Sequence, residues 1–170
     1  LFNLTKNINK PDVLPVIITS TINHFSNEKL KLNEKLKNVV IFRYKKSRFY
    51  FFNTLNIIFN VYKILKKTKA NSSDIYVIRD KRMLLGIKLA VPFAKVKFLV
   101  PGLTYYQDFY FGEKTIKNYI FLIFNSFWEF IAMLFSSQIY VFSTLMSNQI
   151  KNLYNKKSKI VKPGVDYDLF

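Results

Sequence analysis

Lys159-Ile-Val-Lys-Pro-Gly-Val-Asp-Tyr-Asp-Leu-Phe170 closes the chain, and its reading decides the fold. The β-branched run Lys159 to Lys162 has the composition of a short strand. It breaks at Pro163-Gly164, where Pro fixes φ and Gly admits turn geometry, and turns through Val165-Asp166. Immediately upstream, Ile139-Tyr-Val-Phe-Ser143 reads as another strand, and Thr144 to Asn155 as a helix. Strand, helix, strand is the repeating unit of a parallel sheet, because parallel neighbours need a crossover connection.

The same alternation extends toward the N-terminus. Leu1 to Asn9 has apolar residues at 1, 4 and 8, suiting the last turns of a helix that Pro11-Asp12 ends. Val13 to Ser20 (Val-Leu-Pro-Val-Ile-Ile-Thr-Ser) is a run rich in β-branched residues, as in a strand buried on both faces of a parallel sheet. Thr21 to Asn38 is polar and Lys-rich and reads as a loop with a short helix, and Asn38 to Tyr44 as a second strand. From Phe49 to Lys69, apolar residues at 51, 52, 55, 58, 59, 62 and 65 form the stripe of a helix lying on a sheet. Strands follow at Ile75 to Ile78 and Lys95 to Val100, separated by a short helix over Lys81 to Val91 that Pro92 terminates. Leu103 to Gly112 is aromatic but aperiodic and reads as a loop, and Thr115 to Phe135 as a long, very apolar helix. The expected fold class is α/β: a Rossmann-like, mostly parallel sheet flanked by helices, with right-handed crossovers. Ligands of such sheets bind beyond the carboxyl ends of the strands, here Ser20, Tyr44-Lys45, Arg79-Asp80, Pro101-Gly102 and Ser143.

The chain of 170 residues is long enough for one domain with its own core and too short for two large ones. Lys plus Arg number 27 against 10 acidic residues, a net charge of +17, which directs attention to anionic partners. An overall bias toward Lys, Asn, Ile and Phe would produce the same skew. There is no Cys, so disulfides and thiolate metal sites are excluded. No zinc-finger or aromatic RNA-recognition pattern is present, so no nucleic-acid partner is expected.

Four ordered segments resemble a known pattern: Asp74-Ile-Tyr-Val-Ile-Arg79, Lys95-Val-Lys-Phe-Leu-Val-Pro-Gly102, Ser137-Gln-Ile-Tyr-Val-Phe-Ser143, and Lys159-Ile-Val-Lys-Pro-Gly-Val-Asp166 with Phe170. Together they look like the N-terminal half of a family 4, GT-B-type glycosyltransferase, and Val16 to Ser20 and Val39 to Arg43 are similar to its second and third strands. The resemblance covers Val13 to Phe170. It implies a Rossmann-like acceptor-side domain over 1–162 lacking its first strand, and the start of an interdomain linker over 163–170, with Gly164 and Asp166 at the hinge. The donor-binding C-terminal domain is absent from this stretch, and the chain reads as a fragment that is inactive alone. The implied activity is transfer of a sugar from a nucleotide sugar to a glycan or lipid-linked acceptor, with retention, without metal and without a cofactor. The implied place is the cytoplasm, peripheral on the inner face of the cell membrane. The chain departs from the pattern at Pro101, where the family has His, and at Ser137-Gln138, where it has Ala-Asp. A degenerate, non-catalytic remnant of such an enzyme is therefore an alternative.

Arg79 and Gly102 are the candidate substrate-binding residues. The fork of donors on Arg79 suits a phosphate or a sugar hydroxyl, and Gly102 would let backbone approach a substrate. Against this, Arg79-Asp80 also reads as a solvated pair capping the next helix, and Gly102 as the end of a turn begun by Pro101. The sole His, His24, makes no metal site without companion ligands, and no catalytic set can be assembled from spacing. The basic patches Lys45-Lys46-Ser47-Arg48 and Lys63 to Lys69 suit anionic headgroups or plain solvation. A rival reading, from a different class, is a basic, membrane-associated, non-enzymatic protein with an apolar span at 118–146. Its single charge, Glu129, would cost about 2.5–3.5 kcal/mol at the centre of a bilayer. The aromatic side chains Tyr119, Phe121, Phe124, Phe127 and Trp128 would alternatively lie in a membrane interface.

Overall fold

The computed structural model describes residues 16–20, 33–36, 39–44, 49–106 and 114–161. Leu1 to Asn9, His24, the Lys45 to Arg48 patch, 107–113 and the closing turn with Gly164 and Asp166 lie outside them. Seven strands and four helices are described: β1 (Val16–Ser20), β2 (Asn33–Leu36), β3 (Val39–Tyr44), α1 (Tyr50–Lys67), β4 (Tyr76–Ile78), α2 (Met83–Ala90), β5 (Val96–Leu99), α3 (Ile116–Phe135), β6 (Gln138–Val141), α4 (Thr144–Tyr154) and β7 (Lys159–Ile160). The fold is α/β and Rossmann-like, with parallel strands flanked by helices.

Strands β4-β5-β6-β7 form a sheet in that order, every pair parallel. Each step to the next strand crosses over through one helix, as parallel neighbours require. Side chains alternate accordingly. Tyr76, Ile78, Val96, Phe98, Ile139 and Val141 are buried in one cluster with Leu84 and Ile87 of α2, Ala132 and Met133 of α3, and Ile150 of α4. On the opposite face Val77 is exposed, and Lys97, Leu99, Gln138 and Tyr140 are half-buried. The three crossover helices thus share one face of the sheet, as right-handed crossovers stepping in one direction demand.

The N-terminal strands differ from expectation. Instead of joining one sheet, β1, β3 and β2 form a separate three-stranded sheet in that order, with β1 parallel and β2 antiparallel to β3. Strand β2 falls in the segment read as loop and short helix. Asn33-Glu-Lys-Leu36 carries one apolar residue, so it has no strand periodicity of its own. It is an edge strand held by pairing with the apolar β3, and charged side chains are usual at sheet edges.

Helix α1 bridges the two sheets. It buries Asn53, Thr54, Ile57, Ile58, Val61 and Leu65, and packs on both β3 and α2. The approach to α2 is close. A Cβ built on Gly86 would lie 2.7 Å from the Ile58 carbonyl oxygen and 2.9 Å from Val61 Cβ. The α1–β4 connection is a compact turn in which Asn71 N–H donates to Asp74 Oδ2 (2.8 Å) and Ser73 N–H to Asn71 Oδ1 (2.8 Å).

The apolar stretch 118–146 is not one span. Helix α3 starts at an N-cap, where Thr115 Oγ1 accepts from Asn118 N–H at 3.3 Å, and ends at Phe135. Ser137 N–H then donates to Val96 O (2.8 Å), which delivers the chain into β6 beside β5. Ser143 is the N-cap of α4, its Oγ accepting from Met146 N–H at 3.2 Å. Among the described residues α3 is the one helix long and apolar enough to cross a membrane.

Candidate functional site

All four parallel strands end on the same edge. Arg79, Asp80 and Lys81 follow β4; Pro101 to Thr104 follow β5; Ser143 follows β6; Val161 follows β7. Helices α2 and α4 begin at this edge, directing the positive ends of their dipoles toward it.

Asp80 is not paired with Arg79. Its carboxylate accepts from the backbone N–H of Arg82 (3.0 Å), from Arg82 Nε (2.9 Å) and from Arg82 Nη2 (2.6 Å). This two-pronged contact with both ends within one turn closes the entry to α2. The reading of Arg79-Asp80 as a mutual pair is therefore corrected: Arg82 takes the carboxylate, and Arg79 is left exposed with no ion pair among the described residues. Tyr44, buried at the end of β3, is near enough to Asp80 to feel its charge. Burial foremost, and then Asp80, push its phenol up to about 12, with Arg82 acting in the opposite direction.

Pro101 is exposed, Gly102 half-buried, and Leu103 and Thr104 buried. Gly102 does not take a positive φ, so the turn makes no use of the conformational freedom of glycine. Arg79 and Gly102 thus follow adjacent strands of one sheet.

A buried polar cluster behind this edge escaped sequence reasoning. Glu129 is only 2 % exposed, although it lies on a long, apolar helix. Its Oε2 accepts from Thr104 N–H (2.9 Å) and Thr104 Oγ1 (2.7 Å), and its Oε1 from the Tyr154 hydroxyl (2.6 Å). Lys81 Nζ lies 3.6 Å from Oε2 and donates to Thr104 Oγ1. Burial first, then the hydrogen bond to Glu129 and the charge of that carboxylate, hold the Tyr154 phenol well above the usual tyrosine range. The carboxylate therefore joins α3 to α4, to the segment after β5 and to the segment after β4. The available signal was Glu129 itself, the single charge of 118–146, which points inward when a helix is otherwise apolar and a partner awaits it. Lys81 and Thr104 gave none, since each reads as an ordinary loop residue.

The two parts of the edge have different chemical capacities. Glu129 is saturated by donors and closed off from solvent, so it braces the fold. Arg79, with the start of α2 beside it, presents donors and positive charge to an anion or a hydroxyl outside. Among the described residues no three His, Asp or Glu side chains gather to hold a metal ion.

No protein-family model matches the chain, and no curated protein does.

Proposed function

We propose that this chain is the acceptor-side, Rossmann-like domain of a two-domain glycosyltransferase. Partnered with a donor-binding domain, it moves a sugar from a nucleotide sugar to a glycan or lipid-linked acceptor at the cytoplasmic face of a membrane. The observation that carries the reading is the parallel order β4-β5-β6-β7, which lines up Arg79, Gly102 and Ser143 on one carboxyl edge. That is the edge where open α/β sheets bind ligands. Three of the ordered segments that resemble the family contain β4, β5 and β6, and the fourth begins with β7 (Lys159–Ile160), which supports the reading.

On this reading Arg79 holds a phosphate or sugar hydroxyl of the acceptor, and the backbone at Gly102 approaches it. Pro101, standing where the family carries His, offers neither a titratable group nor an N–H, so this domain orients the acceptor and donor chemistry belongs to the partner domain. The test is release of nucleoside diphosphate by the full-length protein, given a panel of nucleotide sugars and a membrane lipid extract. Turnover that falls about tenfold or more in Arg79→Ala, mainly through acceptor KM, supports the reading, since the loss of one charged hydrogen bond is of that size. Absence of turnover with every donor, or an Arg79→Ala variant as active as wild type, overturns it.

A further inference from the structure

Helix α3 is built inside out. Its inward stripe holds Glu129 with Ala132 and Met133, while the side chains facing away from the core are apolar. Ile116, Ile120, Ile123, Phe127, Phe130 and Leu134 recur at spacings of four and three, which keeps them on one face, and each is 45–82 % exposed. Phe124 and Phe135 widen the strip. Over 20 residues this makes a ridge about 30 Å long at 1.5 Å per residue. Isolated exposed apolar residues are ordinary, but a continuous ridge of this kind marks a surface that is covered in use.

The charge around it says by what. Lys114 and Lys117 stand exposed at the start of α3. Lys95 and Lys157, also exposed, enter β5 and β7 at the sheet edge where α3 ends. The ridge is thus apolar along its length and basic at both ends, on a chain of net charge +17. We propose that the outer face of α3 is a docking surface for an anionic lipid bilayer, with the helix lying in the interface and not across it. Three observations favour this occupant. Two copies carrying +17 each repel one another. Along the helix itself Lys117 is the one exposed charge, so a helical partner seated on the ridge would lack the series of flanking charges that sets orientation. A span would require α3 to leave the core, stripping Glu129 of Thr104, Lys81 and Tyr154 and emptying the sites of Ala132 and Met133. Lying flat keeps all of these contacts and buries only what is already outside, while lysines meet anionic headgroups.

The inference rests on the membrane-side placement proposed above but not on sugar transfer, and its test needs no turnover, so the two fail separately. The protein is sedimented with phosphatidylcholine vesicles made with and without phosphatidylglycerol. Binding is expected with the anionic vesicles, weakening with salt, and weak or absent with the neutral ones. Ile123→Glu and Phe127→Glu, both at exposed positions, should each lower the partition by roughly tenfold while the circular dichroism stays that of wild type. Leu145→Glu, an exposed apolar position on α4, should bind as wild type does. Equal binding by the ridge variants overturns the proposal. So does a dimer in solution that Ile123→Glu dissolves without any vesicle binding, and so does resistance to alkaline extraction from the bilayer, which would mean a span.

Discussion

Glu129 shows how the environment of one side chain decides between two architectures. On the sequence, a carboxylate near the middle of an apolar run weighs against a membrane span by the cost of desolvating it. In the structure its 2 % exposure is compensated by two donors from Thr104, one from Tyr154 and the Lys81 ammonium 3.6 Å away. Removing one member of such a set leaves the others buried without a partner, which costs more than the set itself contributes. Glu129→Ala is therefore expected to destabilise the domain by about 3 kcal/mol. Glu129→Gln, which keeps the volume and one acceptor oxygen, should cost less. Thermal melts measure both, at about 2–4 °C per kcal/mol for a chain of this size. An alanine variant that melts within about 1 °C of wild type would show that the cluster does not brace α3.

At the level of elements, the contact between α1 and α2 is set by one absent side chain. Gly86 in the middle of α2 forgoes the helix propensity of alanine, a loss of about 1 kcal/mol, and in return the Ile58 carbonyl comes to 2.7 Å from where a Cβ would sit. Backbone cannot yield as the tip of a side chain can, so Gly86→Ala must push the helices apart. Overpacking of this kind costs about 1–3 kcal/mol, enough to outweigh the propensity gained. A lowered urea midpoint with an unchanged slope is the expected result; a raised midpoint would mean that the helices separate freely. Neither this contact nor the Glu129 cluster was legible in the sequence, because both depend on residues distant along the chain. What periodicity did show is a helix over Phe49 to Lys69, strands at Ile75, Lys95, Ile139 and Lys159, and the breaks between them, each matched to within a few residues. Strand β2 was missed because its partner supplies its order, and the division into two sheets because pairing leaves no periodic trace. Of the candidate site, counting strands puts Arg79 and Gly102 at the carboxyl edge where the structure has them. The partner of Asp80, however, is not its sequence neighbour Arg79 but Arg82, two residues on, where the turn into α2 brings backbone N–H and guanidinium to the carboxylate together.

The whole molecule carries a net +17 over 170 residues, with its 10 acidic side chains already counted against the 27 basic ones. Folding gathers the lysines that an unfolded chain keeps farther apart, so the folded state bears the greater self-repulsion. Screening should relieve it. Between about 0.01 M and 0.1 M salt the Debye length falls from about 30 Å to about 10 Å, which is the scale of distances between charges across a domain of this size. The urea midpoint is thus expected to rise over that interval, and to rise equally with chloride or sulfate at matched ionic strength if screening alone is responsible. The Glu129 cluster works against the trend only weakly, because a buried pair is screened far less than surface charge. Membrane docking would have the opposite salt dependence, since the same counter-ions that relieve repulsion within the domain compete with anionic headgroups for its lysines. A midpoint that stays flat or falls as salt is added would mean that the lysines are already balanced by local partners, and the basic character of the chain would then owe nothing to long-range repulsion.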